Sequence, residues 1–403
     1  MKKVLRLAMM FIASTTISMG LTACGDDDET PATTATTPAT TPATSQPTAE
    51  QVRDSLLFEV NSQYLNKTII ATYKKLATDC ENMLPMAQGL HSQAALNKLC
   101  DQWKLARQDW ELSESFLFGA ASGYGIDPHI DTWPFAEASF VSLMSRLKPA
   151  TDEADAENVR HMIATTQNFT GFHAMEYVIF RNGQPRNYSD LTADEKFFVL
   201  AVAEDLYLSA CRLEVAWASV DAEPSRITLL EEAEMTPDAE FGKEFLLAGQ
   251  RGSRWSSVLD ATVQIIDGCI DIIGEVADSK IAAAYSGNDE TYIESPHAYN
   301  SIQDFYDNIR GCKQALYGGL DQVNATTPVQ NSLMAYCLTA YPTEARAAMA
   351  AMETALTAIN QMKRPFVLNY TDPSAGKAID ALHSLDDALG ALKQKLDPNA
   401  ETE

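Results

Sequence analysis

Apolar residues recur along most of this chain at the three- and four-residue spacing of one helix face. The two-residue alternation that is typical of half-buried strands is weak throughout. The pattern therefore predicts an all-α protein. Its helices are expected near residues 52–67, 96–110, 136–147, 155–180, 193–219, 255–284, 299–317, 329–362 and 374–396.

The segments between these predicted helices are rich in glycine, proline and asparagine, which are typical of loops. We predict two related up-down bundles of about four helices each, joined near residues 221–250. Bundle 1 would cover about 51–220 and bundle 2 about 221–397, within one domain. A single continuous helical array is the alternative. Thr192 and Ser374 are predicted N-caps.

The N-terminus has a different composition from the rest. Three basic residues precede a short apolar run, and Leu21-Thr22-Ala23 stands directly before Cys24. A charged start, an apolar middle and small residues before the cut are typical of a secretory signal. A cysteine after Leu-x-Ala is the pattern of a bacterial lipobox. We predict a signal peptide over residues 1–23 and an acylated Cys24; an ordinary signal with an incidental cysteine is the alternative.

Residues 24–50 begin with an acidic run and continue as a Thr/Pro/Ala tract without large apolar residues. Such a segment cannot bury enough surface to offset ordering, so we expect a disordered, PPII-rich tether. Several acyl chains on Cys24 would hold the protein on a membrane, since each buried methylene contributes about 0.8 kcal/mol. The sequence thus predicts a lipid-anchored protein of the cell envelope, at the outer membrane and facing the periplasm or the surface.

A net charge of −25 argues against nucleic acid as a partner and against direct adsorption to anionic lipid. Beyond Cys24 there are six cysteines, and an even number in an oxidising compartment favours disulfides. Two pairs flank predicted helix–loop–helix turns, and the third follows by elimination. The predicted pairs are Cys80–Cys100, Cys312–Cys337 and Cys211–Cys269.

The sharpest local motif is Gly171-Phe-His173-Ala-Met-Glu176. On a helix, His173 and Glu176 lie on one face, where an imidazole nitrogen and a carboxylate oxygen can share one cation. Gly171 would allow another backbone to approach closely. An isolated His-x-x-Glu is more often a hydrogen-bonded pair, which is the alternative. The zinc-peptidase signature His-Glu-x-x-His is absent.

Three further segments carry polar groups in unusual settings. Glu111 and Glu114 are three residues apart, although a solvated helix face would explain them as well. The segment 125–134 is rich in aromatic and acidic residues for a connector, which is typical of functional loops. Asp304 and Asn308 are one helical turn apart and would face a cleft together.

These four segments, in their order along the chain, resemble the imelysin-like family over roughly residues 55–395. The resemblance implies an all-α fold of two related bundles with the Gly-x-His-x-x-Glu motif at their interface. It also implies an exported, iron-regulated protein of iron acquisition, in a family classed with metallopeptidases. The matching residues are Trp103, Trp110-Glu111, Glu114, Phe116, Phe118-Gly119, Ile130-Asp131, Trp133-Pro134, Gly171, His173, Glu176-Tyr177, Glu294-Ser295, Ser301, Asp304, Asn308-Ile309, Gly311 and Tyr317-Gly318-Gly319.

With this resemblance, the leading hypothesis is a membrane-tethered binding protein that captures iron, or an iron-bearing ligand, beside iron-uptake components. His173 and Glu176 would be ligands, joined by Glu114 and Asp304 from other helices. Carboxylates with one imidazole suit iron and also accept zinc. A zinc-dependent metallopeptidase is the second hypothesis, against which the missing second histidine counts. The third is a structural or interaction module without metal, in which His173 and Glu176 form a buried pair.

Overall fold

A computed structural model of the protein describes residues 46–145, 162–163, 169–287 and 289–399. The predicted signal peptide, Cys24 and most of the predicted tether lie outside these residues. Residues 155–161 and 164–168 of the helix predicted near 155–180 lie outside them as well.

Helices dominate the described residues, which confirms the all-α prediction. Two described segments are π-helical: Leu65–Ile69, which lies between the first two long helices, and Glu275–Ile281. The only strands in the described ranges are β1 (Phe180–Arg181) and β2 (Gln184–Pro185), which pair antiparallel. The α-helices are α1 (Ala49–Tyr64), α2 (Ile70–Gln88), α3 (Gln93–Glu111), α4 (Ala120–Gly123), α5 (Asp127–Ile130), α6 (Glu137–Met144), α7 (Gly171–Ile179), α8 (Ala193–Ala218), α9 (Pro224–Glu232), α10 (Phe241–Leu246), α11 (Val258–Gly274), α12 (Ala282–Tyr285), α13 (Ser301–Tyr317), α14 (Leu333–Ala340), α15 (Pro342–Asn360), α16 (Phe366–Asn369) and α17 (Pro373–Leu396).

The long helices pack in two groups. Helix α2 packs against α3 and α8, while α11, α13, α15 and α17 pack against one another. Helix α1 packs against α11, and α3 packs against α13, so both helices link the two groups. The division of the domain into two bundles near residues 221–250 stays a prediction.

Local sequence explains the helix ends. Thr192 caps α8 in a capping box with Glu195, as predicted. The predicted cap of the last helix was wrong, because Asp372 rather than Ser374 is its N-cap and Pro373 takes the first helical position. The helix predicted over 329–362 is divided because Pro342 lacks the N–H that would continue α14 and instead starts α15.

Helix α1 is buried along one face only. Leu57, Val60 and Tyr64 are buried, whereas Val52 and Leu56 are 47% and 52% exposed. The described core is otherwise continuous and aromatic-rich. No helix in the described ranges is both long enough and apolar enough to cross a membrane.

The disulfide prediction needs correction, because all six described cysteines are buried free thiols. Cys100 does not face Cys80 across the α2–α3 hairpin; its Sγ lies 3.7 Å from the carbonyl oxygen of Ile179. Cys312 does not face Cys337, since its Sγ lies 3.7 Å from the carbonyl oxygen of Cys269 on α11. These side chains point at a third helix or segment instead of across the predicted hairpins. The free thiols also exclude the Cys80–Cys100, Cys312–Cys337 and Cys211–Cys269 bonds from this structure.

Candidate functional site

Arg107 is fully buried at the centre of a group of ionisable side chains. Its guanidinium contacts the carboxylates of Glu111 and Asp131, and its Nη2 lies 2.5 Å from Glu294 Oε1. Its Nε lies 3.8 Å from Asp304 Oδ1. We call the buried set around it the charge cluster. Its members are Arg107, Glu111, Glu114, Asp131, His173, Glu176, Lys280, Glu294 and Asp304.

Several short elements deliver these side chains. Helix α3 presents Arg107 and Glu111 one turn apart, and a 3-10 turn after it presents Glu114. Asp131 is the residue that ends α5. Lys280 comes from the second π-helical segment. The cluster therefore forms only when segments that are distant in sequence pack together.

His173 connects three carboxylates of the cluster. Its Nε2 lies 3.1 Å from both Asp131 Oδ1 and Glu294 Oε1, and its Nδ1 lies 3.4 Å from Glu176 Oε2. The other oxygen of Glu176 accepts hydrogen bonds of 2.8 Å from the backbone N–H groups of His297 and Ala298. Glu176 thus orients the imidazole ring and holds a turn, while Nε2 faces Asp131 and Glu294.

Gly171 explains how α7 reaches this position. Its φ is +78°, and a Cβ there would lie 2.0 Å from the carbonyl oxygen of Ile130. A side chain would push α7 away from the residue that precedes Asp131, so glycine is required both by conformation and by space. The predicted close backbone approach at Gly171 is confirmed.

Two sets of ligand atoms in the cluster are close enough to hold a cation. Asp131, His173 and Glu294 offer atoms that all lie within 4.8 Å of one another, and so do Glu111, Glu114 and Asp131. Carboxylate oxygens with an imidazole nitrogen are donors that iron and zinc accept, so the first set fits either metal. The residues present therefore suit the metals expected from the sequence.

The four predicted ligands are not all in one set. His173 lies in the first set, with Glu176 behind it on the Nδ1 side. Glu114 lies in the second set. Asp304 lies beside Arg107 Nε and accepts a 2.7 Å hydrogen bond from Asn300.

The cluster separates its carboxyl groups by pKa. Burial raises the pKa of Glu111 and Glu114 well above their usual range, although nearby cations oppose it. Burial also raises the pKa of Asp304 to about 7. Burial alone would also raise the pKa of Asp131, but the charges of Arg107 and His173 outweigh the effect of burial and hold this pKa well below the usual range.

At Glu294 the nearby basic groups also outweigh the effect of burial on the pKa. Burial raises its pKa, yet Lys280, His173 and Arg107 together lower it to about 2. For His173, burial and Arg107 lower the pKa, but contacts with Asp131 and Glu176 raise it well above the usual range. The two carboxylates that face His173 Nε2 therefore have lowered pKa values and are ionised.

Sequence reasoning missed Arg107 and Lys280. Arg107 is spaced four residues after Trp103 and three before Trp110, on the buried face of α3, so the helix pattern contained a signal for its burial. Lys280 gave no such signal. Asp131 and Glu294 stood in the matching segments without being predicted as ligands.

A cavity of about 790 Å³ lies against the cluster, with His173 and Glu176 in its wall. Aromatic side chains line much of it, including Trp133, Phe135 and Tyr292. The ring centroids of Trp133 and Tyr292 are 4.9 Å apart in an edge-to-face contact. Cavities of this size are typical of small-molecule sites. The cavity provides an approach to His173 from outside the cluster.

Comparisons with known proteins agree on one family. The chain is similar to iron-regulated protein A of Synechococcus elongatus, at 23% identity over 319 residues, 78% of this chain and 79% of that protein. A crystal structure described as an iron-regulated protein A precursor from Parabacteroides distasonis matches with a TM-score of 0.72 and 23% identity, covering 88% of this chain and 97% of the other. An imelysin-like protein from Psychrobacter arcticum matches with a TM-score of 0.59 and 14% identity, covering 84% and 94%. The family model of imelysin, which is classed as a peptidase family, matches residues 69–396, and this chain therefore belongs to the imelysin family.

Proposed function

We propose that the protein is an iron-binding protein whose site is formed by Asp131, His173 and Glu294. The supporting observation is that three buried ligand atoms from three separate segments lie within 4.8 Å of one another. The ion, or a small iron-bearing ligand, would reach them through the cavity beside His173. This assignment keeps His173 from the sequence hypothesis and replaces the other ligands.

The charge balance of the cluster supports a cationic ligand. Six carboxyl groups are buried there, with only Arg107, Lys280 and His173 as basic partners. The pKa values of Asp131 and Glu294 are lowered despite burial, so these two carboxylates keep the negative charge that a metal ion would neutralise. The names of the similar proteins, iron-regulated protein A, favour iron over other metals for this role.

Arg107 would lower the affinity of such a site for its ion. Its guanidinium already contacts Asp131 Oδ1 and Glu294 Oε1, the same oxygens that face His173 Nε2. An entering cation would share these oxygens with Arg107 and be repelled by its charge. A site of this kind holds its ion reversibly, which suits capture and release better than a permanently resident metal.

Calorimetry with ferrous iron under anaerobic conditions, and with zinc, tests the proposal on wild type and His173→Ala. We expect the variant to bind at least about tenfold more weakly, because one ligand atom is lost. His383→Ala is the matched control, because His383 is half-exposed, pairs with Asp278 at 2.8 Å and lies outside the cluster. The metal affinity of this variant should equal that of wild type.

Equal affinities in wild type and His173→Ala would contradict the assignment of His173 as a ligand. If that variant also unfolds more easily, the alternative of a purely structural pair with Glu176 is favoured. A digest of a peptide library with added zinc addresses the metallopeptidase alternative. Cleavage that requires both zinc and His173 would favour an enzyme over a binding protein.

We also propose that Cys24 carries lipid and holds the iron site at a membrane of the cell envelope, the outer membrane above all, beside components of iron uptake. The supporting observation is the Leu-x-Ala-Cys sequence that ends the apolar N-terminal run. Detergent phase partitioning of wild type, Cys24→Ser and the control Cys100→Ser tests it. Only Cys24→Ser should leave the detergent phase. Retention of that variant in the detergent phase would contradict a lipid anchor at Cys24.

A further inference from the structure

The ammonium group of Lys280 is buried among carboxylates. Its Nζ lies 2.9 Å from Glu114 Oε2, 3.1 Å from Glu294 Oε2 and 3.9 Å from Glu111 Oε2. It also lies 3.5 Å from Oε1 of the half-exposed Glu275. Lysine is rarely buried unless it is paired, and here it sits where a free cation would be held.

Lys280 contacts Glu111 and Glu114, which together with Asp131 form the second set of potential ligands. Asp131 belongs to both sets, so it would bridge two neighbouring cations. A shared carboxylate between two adjacent ligand sets is typical of sites that hold a pair of metal ions, as in the di-metal carboxylate helical bundles. The cluster therefore contains two adjacent ligand sets, and the ammonium group of Lys280 lies against two of the three carboxylates of the second set.

Asn308 provides an independent observation at the second position. Its Nδ2 donates to Glu111 Oε2 at 2.6 Å and to Glu114 Oε2 at 3.1 Å. Its Oδ1 is buried and has no hydrogen-bond partner among the described residues. Buried acceptors are nearly always satisfied, so the unpaired oxygen of an amide that already contacts both glutamates through its Nδ2 leaves an acceptor next to this set for a further donor or cation. An amide oxygen is itself an acceptable ligand for a hard cation.

The backbone that carries Lys280 is also unusual. Lys280 lies in the π-helical segment Glu275–Ile281, which separates α11 from α12. Segments of π-helix inside α-helices occur frequently at functional sites because they redirect side chains. This one brings a lysine into the charge cluster.

We propose that Lys280 is a built-in cation that occupies the second metal position and so limits the cluster to one metal ion. This inference rests on the proposed function, because it takes the Asp131–His173–Glu294 set as the position that remains open. It makes Lys280 the residue that sets the metal stoichiometry. Removing the ammonium group opens the position formed by Glu111, Glu114 and Asp131.

The test is the stoichiometry of divalent ions, measured with manganese and with zinc by calorimetry and by elemental analysis after gel filtration. Wild type should bind one ion per chain, and Lys280→Ala should bind two. Lys313→Ala is the matched control. Lys313 is also a buried lysine, but its Nζ pairs at 2.5 Å with Glu353, outside the cluster. That variant should keep one ion.

Lys280→Met removes the charge but keeps most of the volume. It should still bind one ion, at least about tenfold more tightly than wild type, because the repulsion from the ammonium group is gone. Lys280→Met keeps the proposal testable if Lys280→Ala does not fold without metal. Thermal unfolding of Lys280→Ala should then show a midpoint that rises with metal concentration more steeply than that of wild type.

Two results would overturn the inference: one ion in Lys280→Ala with wild-type affinity, or wild-type affinity in Lys280→Met. Failure of the proposed function is distinguishable from both. If wild type binds no ion and Lys280→Ala binds one, the position at Lys280 is supported and the site at His173 is rejected. If neither protein binds an ion, both ideas are rejected.

Discussion

Two buried arginines in this protein have opposite surroundings. Arg107 in the charge cluster contacts four carboxylates. Arg226 on α9 contacts one buried carboxylate, Glu214 of α8, and the largely exposed Glu81. Its other hydrogen bonds go to Thr78 Oγ1, at 2.8 Å, and to the carbonyl oxygen of Lys74, at 3.2 Å.

The two regions also differ in how they assemble. Glu214 and Arg226 are twelve residues apart, and their helices are consecutive. The cluster joins Arg107 to Glu294, which is 187 residues away. A local pair forms as soon as two neighbouring helices pack, whereas the cluster requires the whole domain to be in place.

The ratio of carboxyl to basic groups differs between the two regions, and we use it to distinguish a structural role from a binding role. A buried pair of one arginine and one glutamate needs nothing further. A buried group of six carboxyl groups with three basic side chains has carboxyl groups in excess, and burial raises the pKa of Glu111 and Glu114 among them. We interpret that excess as the preparation of a cation site, and each prediction below tests this contrast.

The largest effect is expected from Arg107→Met. The substitution keeps the volume but leaves Asp131 without its main counter-charge and removes one of the three cations beside Glu294. Removing one partner of a buried ionic group costs several kcal/mol, so we expect the free energy of unfolding to fall by about 5 kcal/mol. Urea denaturation measures this loss.

The metal dependence of Arg107→Met sharpens the contrast. Saturating ferrous iron or zinc should recover part of the lost stability, because the ion replaces the guanidinium beside the same oxygens. A loss that is unchanged by metal would indicate that the cluster, like the Arg226 pair, has only a structural role.

Gly171→Ala is expected to cost about 4 kcal/mol. Its Cβ would lie 2.0 Å from the Ile130 carbonyl oxygen, and φ is +78°, so strain and overpacking add. Gly287→Ala is the matched control, with φ +74° and nothing within 4 Å of the new Cβ. It should cost only about 1 kcal/mol. Equal losses in the two variants would show that close packing of α7 is unimportant. Thermal and urea unfolding provide the comparison.

The sequence predicted the fold better than the site, and particular residues show why. Helical periodicity identified α8 and α13 because apolar spacing is a local property. The His173–Glu176 spacing is local too, and the structure places both side chains in the cluster. The contact of His173 Nε2 with Asp131 and Glu294 depends on tertiary packing, which spacing does not contain.

The errors have the same origin. The cysteine pairs were predicted from hairpin positions, but Cys312 faces Cys269 on α11 because α13 packs there. The burial of Lys280 could not be predicted, because a lysine in a helical segment is usually solvent-exposed. Only the π-helical segment turns this side chain inward.

Arg226→Met should cost about 3 kcal/mol, since it leaves Glu214 buried without its cation. The double variant Arg226→Met/Glu214→Leu should recover most of this stability, because apolar residues can replace a balanced buried pair. Neither variant should change iron affinity. Urea denaturation and calorimetry measure the two properties. A double variant no more stable than Arg226→Met would mean that the pair is not an exchangeable structural unit.

The smallest effect is expected from Asp205→Asn, which tests how the cluster is held from outside. Asp205 on α8 accepts a 3.0 Å hydrogen bond from Thr170 Oγ1, just before α7, and pairs at 2.8 Å with His129 in α5. It thereby links the segment that presents Asp131 to the helix that presents His173.

Asparagine keeps one acceptor oxygen and loses the charge, so the expected cost in stability is only about 1 kcal/mol. Iron affinity should nevertheless fall about tenfold, since groups that orient metal ligands affect binding more than folding. Glu214→Gln is the matched control on the same helix and should lower stability without altering affinity. If Asp205→Asn and Glu214→Gln affect iron binding equally, then α8 supports the cluster no differently from the balanced pair, and the contrast between the two regions fails.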